Sequence, residues 1–178
     1  SGETVHYEFS SEHEILKCYE LARRYAEDFD EDKNVWRDNA ALVEINRILN
    51  SNASDAVKLK ANNLKALLFP KAPTMDSLNE KDRYSYAQVE ADPLLYIGCW
   101  VVWSGRISNA ETTKGAFRCR LLVDYDTLTN FSGIVPLYFA EAPNPPIEGD
   151  RPIKVLAQLG VENDEIVLQG RAVYQPLR

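Results

Sequence analysis

The 178-residue chain has little of what marks reactive or metal-binding proteins: three cysteines, two histidines and one methionine. Cys18, Cys99 and Cys119 match no metal-ligand spacing and are too few for a disulfide framework. They are expected to be buried apolar-like side chains, Cys18 on a helix and the other two on adjacent strands; a Cys99–Cys119 bridge stays open for an oxidising compartment. No Gly-rich phosphate loop, His-Glu-x-x-His, Gly-x-Ser-x-Gly or Cys-x-x-Cys occurs. No apolar run approaches the roughly 20 residues that span a bilayer, so no transmembrane helix is expected. The opening Ser1-Gly2-Glu3 has no basic or apolar leader character.

Positive charge is also scarce. The net charge is −7, which disfavours a general nucleic-acid binder, since that requires a broad basic surface. The deficit is uneven: residues 1–92 carry 12 Lys+Arg against 18 Asp+Glu, and residues 93–178 carry 8 against 9. Glycine is uneven too. Of eight, only Gly2 precedes Gly98, so the first half lacks the residue that permits tight turns and bulges.

That half reads as helical. Ser11 and Glu14 fit a capping box, followed by Ile15, Leu16, Tyr19, Ala22, Tyr25, Ala26 and Phe29 at helical spacing. A second helix is predicted over 35–49, burying Trp36, Ala40, Val43 and Leu49 with Leu42, Ile45 and Ile48. A third carries Val57, Ala61, Leu64, Leu67 and Leu68 and stops at Pro70 and Pro73. Short turns make such helices antiparallel neighbours. The segments Ala41–Leu49 and Lys60–Leu68 resemble part of a tetratricopeptide-type helical repeat. Because such repeats need several copies to bury a core, the resemblance implies a piece of a longer chain or larger assembly.

After Asp92 the period becomes two. Cys99, Val101, Trp103, Gly105 and Ile107 share one face, and Trp100, Val102, Ser104 and Arg106 the other. The next strand turns Phe117, Cys119, Leu121, Val123 and Tyr125 inward and Arg118 and Arg120 outward. A third strand over 133–139 contains Pro136 and is expected at an edge or bulge. Ile153 to Leu159 and Ile166 to Tyr174 supply two more. Five strands with little room for helices between them predict a partly open Greek-key barrel. Asp92-Pro93-Leu94-Leu95-Tyr96-Ile97-Gly98 with Val101, Gly105 and Ile107, then Gly149-Asp150 with Val155 and Gly170-Arg171, is similar to OB-like domains of small bacterial envelope proteins. That resemblance implies the first strand of an OB-type barrel at Asp92 and a place in the cell envelope or periplasm, with the cytoplasm as the alternative.

The fold expected is therefore segregated α+β: an antiparallel helical segment over 1–73, a linker over 74–91 and a five-stranded OB-like barrel over 92–178. Val101, Trp103, Leu121, Val155 and Leu168 should share the barrel core, and Ile15, Leu49 and Leu64 a helical one. His6 and His13 are read as solvated, Asp28, Asp30, Glu31 and Asp32 as an acidic turn lacking the glycine and final glutamate of a calcium loop, and Asp124 with Asp126 as turn formers. The candidate binding residues are Trp100, Arg106, Arg118, Arg120, Lys154 and Arg171, expected on the outside of the barrel, where arginine beside an aromatic ring can stack or pair with carboxylates. No metal or cofactor is expected. The function expected is a non-catalytic protein-interaction or scaffold module with a protein partner; the alternatives are a single-stranded nucleic-acid binder and an enzyme whose site carries no familiar motif.

Overall fold

A computed structural model describes residues 5–28 and 35–177. It contains α1 (Glu12–Ala26), α2 (Val35–Leu49), α3 (Asp55–Asn63) and α4 (Tyr86–Ala91), then β1 (Trp100–Thr113), β2 (Ala116–Val123), β3 (Gly133–Phe139), β4 (Ile153–Glu162) and β5 (Glu165–Tyr174). Helices thus precede a closed barrel of strand order β1-β2-β3-β5-β4, with β3 and β5 parallel. The segregated α+β class and the five-stranded barrel are as the sequence predicts. Two compact units form: one runs up to Ala72 and includes Leu94–Cys99, the other comprises Pro73–Pro93 and everything from Trp100 on.

In the helical unit Ser11 caps α1, its hydroxyl accepting from the Glu14 amide. The Glu14 carboxylate reaches one residue farther back than a capping box requires, accepting from the amide and hydroxyl of Ser10. Tyr25 meets Trp36 edge-on at 6.2 Å, while the Cys18 thiol donates to Glu44 at 3.0 Å. Contacts advancing along α1 therefore retreat along α2, so the pair is antiparallel. Ile15, Cys18, Ala22 and Ala26 of α1 are buried. On α2 the most buried apolar stripe is Ala41, Leu42, Ile45 and Ile48; Trp36, Ala40, Val43 and Leu49 are half-buried. Leu64 is buried as predicted, whereas Leu67 is exposed, because α3 gives way to a 3₁₀ turn at Leu64 that rotates the last leucines off its stripe.

Two of the buried polar side chains on α2 follow from what the chain must satisfy. Asp38 accepts from the amide of Phe69, which sits at φ +52°. Asn46 donates from one amide nitrogen to the carbonyls of Leu95 and Ile97, both at 2.9 Å. A buried carbonyl without a donor costs on the order of 1–3 kcal/mol, so Asn46 accounts for Leu94–Cys99 joining the helices. The sequence placed these residues in the first strand; Pro93–Tyr96 instead forms a 3₁₀ turn, and β1 begins at Trp100.

The stretch 74–91, read from sequence as a linker, groups with the barrel. Ser85 and Gln88 form a reciprocal capping box that starts α4. The Trp103 indole donates to the carbonyl of Tyr84 at 2.9 Å, and the Tyr86 ring meets Trp103 edge-on at 5.6 Å. Leu78 and Val89 are buried. The sequence marks Tyr84, Tyr86 and Val89 as able to pin this polar stretch to a neighbour, whereas Leu78 stands alone and gives no periodic signal.

Val101, Trp103, Leu121, Val155 and Leu168 are all buried in the barrel unit, each aliphatic one contributing about 1.5–3 kcal/mol by burial. Pro136 behaves as an edge residue should: β3 pairs with β5 only at Leu137 and Tyr138, leaving Pro136 without a β5 partner for the N–H it lacks. Cys18, Cys99 and Cys119 are buried and free, so the Cys99–Cys119 bridge is not formed. The Cys99 thiol lies against the carbonyl of Asn39. Burial raises the pKa of all three, Cys119 to about 12, and the thiolate is the reactive form. A thiol reagent such as Ellman's should therefore find almost no reactive cysteine in the native protein and three after unfolding.

Candidate binding face on the barrel

The register of the strands fixes which outward side chains meet. Along β2 and β3 the pairs are Leu122 with Ile134, Arg120 with Pro136 and Arg118 with Tyr138. Residues between them point inward and are buried: Cys119, Leu121, Val135 and Leu137. The paired outward positions of these two strands thus carry two arginines and four apolar or aromatic side chains; on the β1 side Arg118 stands across from the exposed Glu111. Arg118 and Arg120 are exposed, and the Arg118 guanidinium lies 5.0 Å from the centre of the Tyr138 ring. Among the described residues neither arginine enters an ion pair.

The lowest of these pairs continues around the barrel. Tyr138 pairs with Gln169 of β5, Gln169 with Gln158 of β4, and Gln158 with Trp100 of β1. A groove of about 590 Å³ runs over this row, lined by Arg118, Tyr138, Gln158, Gly160, Val167 and Gln169. Gly160 lets Val167 of β5 approach closely, since a Cβ there would stand 3.2 Å from a Val167 methyl.

The six residues singled out from sequence do not gather in one place. Arg118 and Arg120 stand together. Arg106 is half-buried and donates to three carbonyls, of Tyr125 at 3.2 Å, Asp126 at 3.0 Å and Asp150 at 2.7 Å, tying two loops together. Its charge is spent within the fold. Trp100 is half-buried at the other end of β1, roughly 20 Å along the strand from Arg106 at strand rise. Lys154 is half-buried between Ser104 and Tyr174. Arg171 is the extra residue of a β5 bulge and lines a second groove, of about 960 Å³, with Arg151 and Tyr174. Convergence of Arg106, Arg118, Arg120 and Arg171 beside Trp100 is thus not what the strand order produces; an outward position says nothing of how far around a barrel it lies.

Tyr138, Ile134 and Gln169 were passed over in the sequence, although the same alternation that exposes Arg118 exposes Ile134 and Tyr138. Tyr125, expected inward, is half-buried beyond the end of β2, its ring edge-on to Phe131 at 6.2 Å. Asp124 accepts from the Ser132 hydroxyl, the turn-forming role expected of it. Asp30, Glu31 and Asp32 of the acidic run lie outside the described residues. Among the described residues no cluster of three or more His, Cys, Asp or Glu side chains suited to a metal is found, and no helix is long and apolar enough to cross a membrane.

Residues 77–174, more than half of the chain, match the family model described as Spirochaete C-terminal OB fold. Residues 1–65 match a second model, described as a domain of unknown function. No curated protein matches the chain.

Proposed function

Because the chain belongs to the Spirochaete C-terminal OB-fold family, we propose that it is a non-catalytic protein-interaction module whose barrel binds a protein partner through the outer face of β2 and β3, with the repeat-like helices as its scaffold side. The observation that carries this reading is the composition of that face: Arg118 and Arg120 beside Leu122, Ile134, Pro136 and Tyr138, with a single neighbouring carboxylate, Glu111 of β1 across from Arg118, on a chain of net charge −7. Arginine and aromatic side chains are the residues most enriched at the energetic centre of protein interfaces. A basic stripe on an acidic molecule orients an acidic partner and speeds encounter in a salt-dependent way.

Charge reversal tests it. The immobilised full chain and its R118E/R120E variant are compared for proteins retained from a lysate of the source organism, at low and raised salt. The wild type should retain a partner that the variant loses at least ~10-fold, with a melting temperature within about a degree, because both side chains are exposed. Equal retention would remove the face from the account, and a large drop in melting temperature would make the arginines structural.

A second reading has one observation in its favour. Arg118 stacked on Tyr138 stands on strands β2 and β3 of an OB barrel, the strands through which such barrels hold single-stranded nucleic acid. Fluorescence anisotropy with an oligo-dT strand separates the two, since tight salt-sensitive binding abolished by R118E/R120E would favour this one.

A further inference from the structure

Beyond Val123 the chain turns back through Asp124–Ser132 into β3, and this turn presents large apolar side chains to solvent. Leu128 is 57% exposed, Phe131 57% and Ile134 50%. The turn is nevertheless well fixed. The Leu128 amide donates to Tyr125, the Ser132 amide to Val123 and the Ser132 hydroxyl to Asp124, while the hydroxyls of Thr127 and Thr129 share a hydrogen bond. Arg106 grips the carbonyls of Tyr125 and Asp126 from the barrel side.

Within this turn Leu128 has φ +65°. A left-handed conformation costs a residue with a Cβ roughly 1–2 kcal/mol, and asparagine or glycine bears it far better. Packing does not repay the cost, because more than half of the side chain faces water. Asp124 of the same turn has φ +64°, but there the residue is one that bears the conformation well, whereas at Leu128 a large apolar side chain is carried on it. Ile134 follows the turn by two residues and stands on the outer face of β3 opposite Leu122, one outward pair from Pro136 and Arg120, so the chain leads from the exposed turn to the arginines. The carboxylates of the turn itself are Asp124, engaged by Ser132, and Asp126.

We propose that Leu128, Phe131 and Ile134 are the apolar anchor for an acidic amphipathic segment of a protein partner, whose carboxylates meet Arg120 and Arg118 along β2. The inference rests on the reading of the face given above and adds what occupies it. Charge complementarity selects the occupant: the basic stripe begins where the apolar surface ends, so the bound segment needs large apolar side chains followed by carboxylates. The rigid turn lets the anchor bind without losing freedom on association.

The test uses the full chain and a displayed library of random linear peptides. Enriched peptides should carry both carboxylates and large apolar residues. Their affinity should fall at least ~10-fold for F131S, for L128N and for R118E/R120E, as truncation of an interface centre does. L128N should melt at the same or a higher temperature, since asparagine relieves the backbone; a merely structural Leu128 would lower it and overturn the strain argument. Affinity lost in R118E/R120E but kept in F131S and L128N would overturn the anchor while the face stands. Affinity indifferent to all three would remove the face as well. The proposal also fails if no peptide is enriched, if sedimentation shows self-association that F131S abolishes, or if oligo-dT binds through Phe131.

Discussion

Replacing Gly105 with alanine is expected to lower the melting temperature of the barrel by more than ~10 °C, corresponding to about 3 kcal/mol or more for a unit of this size. Gly105 is where β1 changes partner: it pairs with Ile153 of β4 on one side and with Val123 of β2 on the other. The strand must bend there for the sheet to close. A Cβ at this position would stand 2.0 Å from the carbonyl oxygen of Leu122, and a backbone atom cannot step aside as a flexible side chain can. Tryptophan fluorescence is a direct readout, because Trp100 and Trp103 both lie on β1. A melting temperature within a few degrees of wild type would show that β1 shifts to admit the methyl group.

The second large effect separates the arginines. Arg106→Ala is expected to cost the barrel about 2 kcal/mol in urea denaturation, since three carbonyls from two loops lose a charged donor, discounted for the half-exposed setting. Arg106→Lys should restore little, because a single ammonium cannot span acceptors that the planar guanidinium reaches with three nitrogens. Partner retention by the folded fraction should persist. R118E/R120E should behave in the opposite manner, stable but poor at retention. If Arg106→Ala proves as stable as wild type, the loops hold without it and the guanidinium is available after all.

The contrast marks where the sequence was legible. Alternation along 100–107 and 117–123 gave most of the inward set of the barrel, because packing enforces a period of two on a strand with one buried face; Val102, which the same alternation puts outward, is nonetheless buried. The extents of the helices were legible too, but the buried stripe of α2 was not: Ala41, Leu42, Ile45 and Ile48 fill it, while Trp36, Ala40, Val43 and Leu49 are half-buried. Position around the barrel was not legible either. Arg106, Arg118 and Arg171 all alternate outward, yet one is gripped by carbonyls, one stacks on tyrosine and one sits in a bulge, and these fates depend on partners elsewhere in the chain: Asp150, Tyr138 and the Leu156–Ala157 step of β4. The candidate face suffered from a further bias. Ile134 and Tyr138 were legible as outward, but single exposed apolar residues are ordinary on protein surfaces and carry no functional signal by themselves, and the strain at Leu128 has no trace in composition. The stretch 74–99 was hardest, since Leu78, Val89 and the acceptors of Asn46 act singly and leave no period to detect.

That stretch also has a consequence for inheritance. The chain joins the barrel unit at Pro73, goes back to the helical unit at Leu94 and leaves it again at Trp100. A recombination event can cut a gene at one point, and no single point here separates the units cleanly. A break near residue 73 sends Leu94–Cys99 away with the barrel and strips Asn46 of its two acceptors; a break near residue 99 deprives Trp103 of Tyr84 and Tyr86. The family model over 77–174 carries the interloping six residues within it. Exchanging the helices or the barrel for another would therefore need compensating changes at both crossings for the chain to fold as well.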